Sequence, residues 1–482
     1  MTDLPRITSF IGGDTVPAGA GAFNLVDPQT GKPIGAIVEA GEAGVAAAVK
    51  LAKSAYEANR KSPVHQRVKW LRDGAAALRK AVDEIAPLIS QDVGKPIRVC
   101  RGEIARGAEF MEAVAACLPQ MNGEVLPLDA TAPGDGHFGF TRRIPYGVVA
   151  GIIPFNGPIN LLVQKVAPAI AAGNAIVTKP HPAGTRTALK LAELFQTAGW
   201  PKGLFTVLTG DKASAAALVS HPHVRCVSFT GGTAGGDALA RLAGAKKFVA
   251  ELGSNAANIV MADADIADAA KKIAGAAFEA SGQQCISAQR VLVDNSILDK
   301  FTEAFVTAAK ALKVGRADDP AVDVGPMVSA AAADRVMGMC EDAIKRGATY
   351  ALKPQRDGAT VSPGILVEVP NAARLWCEEV FGPIAIVTPF SGIEEGLKLA
   401  NDSEFGLQGA LFTSNLKTAF RFADDFEVGC LWVNEPSRFR VDVYPFGGVK
   451  QSGMGRELGP LGFREFTNPK AIRRSRLRES PR

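Results

Sequence analysis

The chain has 482 residues, 47% of them apolar and 21% charged, with a net charge of +5. At this length so slight a charge marks neither a nucleic-acid nor a membrane surface, and the composition is that of a globular protein with room for roughly two to four domains. The opening MTDLPRITSF lacks a basic stretch followed by an apolar core, so no signal peptide is expected, and the seven scattered cysteines fit reduced thiols in a cytoplasm.

Residues 42–118 are rich in Ala and Lys with apolar positions three and four apart. They predict successive helices broken near Ser62-Pro63 and Gly94-Lys95-Pro96. The most apolar stretch, 146–177, is interrupted by Pro154, Asn156, Pro158, Asn160, Gln164 and Lys165. A membrane span would leave those polar groups unsatisfied, so core is expected. The runs AIVTK (175–179), LFTVLTG (204–210), RCVSFTG (225–231) and KFVAELG (247–253) are short and apolar, and most are separated by helical stretches. Such alternation predicts βαβ units and a parallel sheet covered on both faces. A second alternating series follows over 257–433. The end, AIRRSRLRES (471–480), reads as a solvated tail or a strand at a subunit contact.

FTGGTAGG (229–236) follows an apolar run and opens a helix, where a doubly wound sheet holds a phosphate against backbone N–H groups. Thr233 stands where G-x-G-x-x-G would have its second glycine, so a purely structural turn fits the residues as well. Lys179 ends another strand and reads either as a phosphate or ribose contact or as a surface lysine. Cys285, in EASGQQCISAQR (279–290), has no histidine near it in sequence, and no CxxC or Cys–His cluster suggests a metal. A lone cysteine of this kind is ordinarily inert. Its neighbours alter that reading: Asn156 in PFNGPIN (154–160) can aim an amide donor at an oxyanion, and Glu251 in ELGS (251–254) can serve as a buried base.

With PFNGPIN, APAIAAGNAIVTKP (167–180), FTGGTAGG, ELGS, SGQQC (281–285), EEVFGP (378–383), NDSEFGL (401–407) and PFGGVKQSGMGRE (445–457) in this order, the sequence resembles the aldehyde dehydrogenase superfamily over nearly its whole length. The resemblance implies that Cys285 attacks an aldehyde, that Asn156 and the Cys285 backbone N–H hold the oxyanion, and that Glu251 activates the water that hydrolyses the thioester. It further implies that Lys179 contacts the adenosine ribose, that Gly232 and Thr233 contact the pyrophosphate, and that Glu379 holds the nicotinamide ribose beside Phe381. Pro154 and Phe155 line the same cofactor.

The sequence departs from the family pattern in two respects, one bearing on the cofactor and one on the substrate. Pro182 stands where NAD-preferring members usually carry a ribose-binding glutamate, which points to use of both cofactors with NADP slightly ahead of NAD. The sequences NEPSRFRVDVYPFGGVK (434–450) and EIAR (103–106) resemble the branch acting on lactaldehyde, phosphonoacetaldehyde or glyceraldehyde 3-phosphate. Gln284, however, replaces an arginine before the nucleophile, and Gly157 replaces a larger residue. Arg106, Gln284 and Arg440 then suggest a small polar or anionic aldehyde, although Arg106, Arg438 and Arg440 read equally as surface residues.

The architecture implied is an α/β one. A Rossmann-like cofactor domain takes 1–126 and 147–250, and a catalytic domain takes 251–440. A small β oligomerisation element of 127–146 with 441–482 would build a homodimer or homotetramer. No metal, nucleic acid or membrane is expected. A coenzyme A-acylating enzyme is the nearest rival, against which Glu251 argues; a thiol hydrolase and a catalytically silent paralogue are more distant.

Overall fold

The computed structural model describes residues 4–15 and 21–474. The N-terminal helical region forms Gly41–Asn59, Val64–Lys80, Val82–Val93 and Ile97–Cys117. The breaks at Pro63 and Gly94–Pro96 fall where the sequence puts them. The break at Ala81 carries no Gly or Pro signal and lies at φ −92°, ψ 10°.

The runs that follow build an eight-stranded sheet. Five of its strands are parallel and lie in the spatial order Lys247–Glu251, Val224–Thr230, Val148–Ile153, Ala175–Pro180 and Phe205–Val207. Chain order therefore reverses between Val148–Ile153 and Val224–Thr230, and a crevice opens outside the carboxyl ends of strands at such a reversal. The next residues along those two strands are the asparagine loop and the glycine-rich turn. Every residue of Val148–Ile153 and Ala175–Pro180 is buried, as a parallel sheet covered on both faces requires. Helix Asn160–Ala172 between them is buried from Leu161 onward, so most of 146–177 is core. No helix among the described residues is long and apolar enough to cross a membrane.

A seven-stranded sheet follows, in the order Thr349–Leu352, Gly364–Val367, Ile384–Phe390, Arg290–Asp294, Ala257–Val260, Gln408–Phe412 and Cys430–Val433. All its pairings are parallel except that of Thr349–Leu352. The chain then returns to the first sheet, where Gly453–Met454 pairs antiparallel with Ala250–Glu251. Gly453 has φ +139°, and a Cβ there would come within 2.0 Å of the Ala250 carbonyl oxygen, so only glycine lets the returning strand so close. Finally Thr467–Arg474 pairs antiparallel along all of Phe138–Pro145, with Val125–Leu126 on the other side. The first half of the arginine-rich end is thus a strand; residues 475–482 lie outside the described residues.

Candidate active site

Cys285 follows a turn whose residues Ala280, Ser281 and Gly282 all have left-handed φ, at 54°, 58° and 62°. Two non-glycine residues in that region cost of order 1–3 kcal/mol each. The turn is held by the Ser281 hydroxyl donating to the Gly325 carbonyl (2.7 Å) and by Gln283 Oε1 accepting from the Val328 N–H (3.0 Å). A Cβ at Gly282 would sit 2.2 Å from the Gly382 carbonyl oxygen, so this turn lies backbone to backbone against the segment Glu378–Pro383.

The half-buried Cys285 side chain reaches a cleft of about 590 Å³, whose walls include Arg106, Asn156, Gln284, Arg438 and Arg440. Burial pushes its thiol up to about 12, with Glu379 and Glu251 adding to the rise and Arg440 opposing it. Glu251 ends its strand 1% exposed, and neither carboxyl oxygen has a hydrogen-bond partner. Burial first, and Glu457 second, raise it well above the carboxylate range, while Lys165 and Arg440 pull the other way. Lys165 and Glu457 form an ion pair buried behind it, with Ser228 Oγ 3.1 Å from the Lys165 ammonium.

Asn156 sits in a loop fixed by its backbone. The Lys95 ammonium donates to the Asn156 carbonyl and pairs with Glu103. Glu103 Oε1 accepts the Ile159 and Asn160 N–H groups at 2.8 and 3.1 Å, at the start of helix Asn160–Ala172. Both side chains of the pair are below a tenth exposed. The Asn156 side-chain amide has no partner among the described residues and remains free at the cleft wall.

On the far side of Cys285 the predicted cofactor residues converge. Phe155 meets Phe381 edge-on at 5.7 Å and His181 at 5.1 Å. A Cβ built on Gly253 would lie 2.9 Å from Glu379 Oε2 and 3.2 Å from Thr233 Oγ1, so these two side chains meet over that glycine. Glu379 also accepts the Ser254 N–H (3.1 Å), and burial raises its carboxyl to about 7. Thr233 opens helix Thr233–Ala243 with Gly232 at its cap, and nothing lies within 4 Å of a Cβ at Gly232. Lys179 is 6% exposed yet takes no hydrogen bond or ion pair among the described residues. Burial lowers it to about 8, against Asp211 and Glu39. Pro182 opens a short turn just beyond. An unpartnered ammonium, a carboxylate and an open helix N-terminus around one crevice fit a dinucleotide. No group of three or more metal-ligating side chains occurs among the described residues.

The arginines at the cleft are not equivalent. Arg106 is committed to Asp442 by two hydrogen bonds of 3.0 and 2.8 Å. Arg438 pairs with Glu279 and donates to Gln284 Oε1 at 2.8 Å, and Arg98 pairs with Glu279 and Asp323. Arg440 lies over the Phe446 ring at 4.4 Å and donates to Gln164 Oε1 at 2.9 Å. Its Nε is buried without a hydrogen-bond partner, 3.8 Å from the Asp442 carboxylate.

Lys95, Glu103, Asp442, and the Lys165–Glu457 pair escaped the sequence reading. Glu103 lies inside EIAR and Lys165 among the polar residues that argued against a membrane span. The signal was therefore present, but apart from Lys95 and Glu103, eight residues apart, the partners stand tens to hundreds of residues away.

The aldehyde dehydrogenase family model matches residues 16–472. The 3-sulfolactaldehyde dehydrogenase of Priestia megaterium is 38% identical over 473 residues, 98% of each chain. The sulfoacetaldehyde dehydrogenase of Neptuniibacter caesariensis is 36% identical over 453 residues, 93% of this chain and 99% of that one. Among solved structures, aldehyde dehydrogenase 21 from Physcomitrella patens in complex with the reaction product succinate superposes with a TM-score of 0.94. It is 30% identical, with 98% of this chain and 99% of that one covered. The chain belongs to the aldehyde dehydrogenase family and is an NAD(P)-dependent enzyme that oxidises aldehydes.

Proposed function

We propose that the enzyme oxidises a small aldehyde bearing a single negative charge, a sulfonate or a carboxylate, to the corresponding acid, with NAD(P) as the oxidant and through a thioester on Cys285 that is then hydrolysed. Once Glu251 has taken the thiol proton and passed it to solvent, addition of Sγ to the carbonyl carbon places charge on the carbonyl oxygen, where the free Asn156 amide and the Cys285 N–H receive it. A bound nicotinamide supplies the hydride acceptor that leaves a thioester on Cys285. Glu251 takes a proton from the water that attacks this thioester, returning the thiol and releasing the carboxylic acid. A carboxyl raised so far above its ordinary range is a strong base once ionised, so turnover climbs with pH as Glu251 loses its proton.

The observation that carries the substrate class is the charge balance around Arg440. Arg106 and Arg440 share one carboxylate, Asp442, which leaves one unbalanced guanidinium beside the nucleophile. Arg98 and Arg438 are balanced by Glu279 and Asp323. A monoanionic end beside Arg440 restores neutrality, whereas a phosphate dianion would exceed it. The relatives named for sulfonated aldehydes, and the succinate-bound structure, support this reading.

Pro182 removed the expected ribose carboxylate and favoured NADP. Asp211 and Glu39, from other loops, return negative charge to the surroundings of Lys179, so we infer that NAD binds ahead of NADP. The sheet of Thr467–Arg474 with Phe138–Pro145 exposes Phe138, and Val125 beside it, which supports a homodimer or homotetramer built through this element. The testing experiment is reduction of NAD and NADP with sulfoacetaldehyde, 3-sulfolactaldehyde, succinic semialdehyde, glyceraldehyde 3-phosphate and uncharged propanal. Turnover led by sulfonate or carboxylate substrates and lost in Cys285→Ala is expected. Faster turnover of propanal or of the phosphate ester refutes the substrate class.

A further inference from the structure

We infer that Gln289 is a positioning residue that sets the cofactor-ribose carboxylate Glu379 in register with the nucleophile; this rests on the reading of Glu379 as a cofactor contact. Gln289 lies four positions after Cys285 and is 4% exposed. Its backbone is fixed on both sides, the N–H donating to the Ala256 carbonyl and the carbonyl accepting the Ile386 N–H. Its side chain is directed wholly at the segment carrying Glu379. Nε2 donates to the carbonyls of Leu375 (3.2 Å) and Glu378 (2.7 Å), and Oε1 accepts the Val380 N–H (2.9 Å).

Two donors and one acceptor meet two carbonyls and one N–H, a match that an amide of this length provides and a carboxylate or hydrocarbon does not. Two of the three contacts fall on the residues immediately before and after Glu379, so they fix its backbone without touching its carboxyl. From the other side Arg335, exposed on helix Ala330–Lys345, donates to the Glu379 and Val380 carbonyls. Phe381, next along, has φ +47°, a conformation that the segment must be constrained to keep. The Gly282–Gly382 backbone contact joins the same two segments a second time. Gln289 and the Gly282–Gly382 contact therefore tie the turn of Cys285 to the segment of Glu379, and a change at Gln289 displaces Glu379 while leaving Cys285 in its own turn.

The test uses the full chain with Gln289→Met, which keeps the length and removes the donors, alongside Arg335→Met and Glu379→Gln. Calorimetric titration gives the cofactor Kd, and hydrolysis of p-nitrophenyl acetate without cofactor reads Cys285 alone. Gln289→Met is expected to raise the cofactor Kd and KM by about tenfold, the loss of roughly one buried hydrogen-bond set, with ester hydrolysis and the aldehyde KM within about twofold of the parent. Arg335→Met, on the surface, is expected to raise the Kd by about threefold and decides the matter if Gln289→Met fails to fold. An unchanged Kd in the foldable variants while Glu379→Gln raises it overturns the inference alone. Ester hydrolysis falling in step with cofactor binding also overturns it, since that marks general collapse of the site. If Glu379→Gln leaves the Kd unchanged, the role of Glu379 falls and the inference falls with it.

Discussion

Two loops reach Cys285 from opposite sides and are anchored by different physics. The Asn156 loop hangs on a buried ion pair, Lys95 with Glu103, whose remaining capacity goes to the Asn156 carbonyl and two N–H groups at a helix start. The Glu379 segment hangs on a neutral amide from inside and a surface arginine from outside. Buried ions are costly to desolvate and costly to orphan, so the first anchor is rigid and fails abruptly. The second trades neutral hydrogen bonds of modest net worth and yields gradually. On the proposed reading, the loop that would receive a developing charge within hydrogen-bond tolerance has the rigid anchor, and the loop that would admit and release a cofactor has the softer one.

Removing one ion should separate the two most strongly. Lys95→Met is expected to cost about 3–5 kcal/mol in urea unfolding, against about 1–3 kcal/mol for Gln289→Met, and equal losses would erase the contrast. Asn156→Ala spares the anchor and deletes only the donor. A fall in kcat of about 10²–10³ with unfolding midpoints unchanged is expected in steady-state and melting measurements. At the cleft, Arg440→Met should lower kcat/KM for a sulfonated aldehyde by about tenfold to a hundredfold while sparing propanal, since a charged hydrogen bond is lost only with the anion. The mildest effect belongs to the softer loop. Because the Glu379 carboxyl holds its proton up to about 7, it becomes a full acceptor for ribose hydroxyls only above that pH. The cofactor Kd should therefore fall as pH rises through about 7, and titrations of Glu379→Gln should show no such limb.

Much of the fold was legible because a parallel sheet writes itself as apolar runs between helices. AIVTK and RCVSFTG lie in strands Ala175–Pro180 and Val224–Thr230, and LFTVLTG shortens to Phe205–Val207. The residues proposed to react were legible as candidates because each stands in a turn or at a strand end with a recognisable local motif. What holds them was not. Gln289 and its partners are 86 to 91 residues apart, and Glu103 and its backbone partners 56 and 57 apart. No local periodicity encodes such pairings. Arg106 shows the same limit in reverse: its spacing suggested an anion site, and only the fold reveals that Asp442 already occupies its donors.

The return of Gly453–Met454 to the edge of the first sheet has a consequence for biosynthesis. Leu252 donates to the Ser452 carbonyl (2.9 Å), and the Ser452 hydroxyl to the Gly253 carbonyl (2.7 Å), 199 positions away along the chain. At a ribosomal pace of about 5–20 residues per second, the strand end bearing Glu251 waits on the order of ten to forty seconds for its edge partner. A nascent chain thus carries Cys285 well before the strand end bearing Glu251 finds its partner at Gly453–Met454.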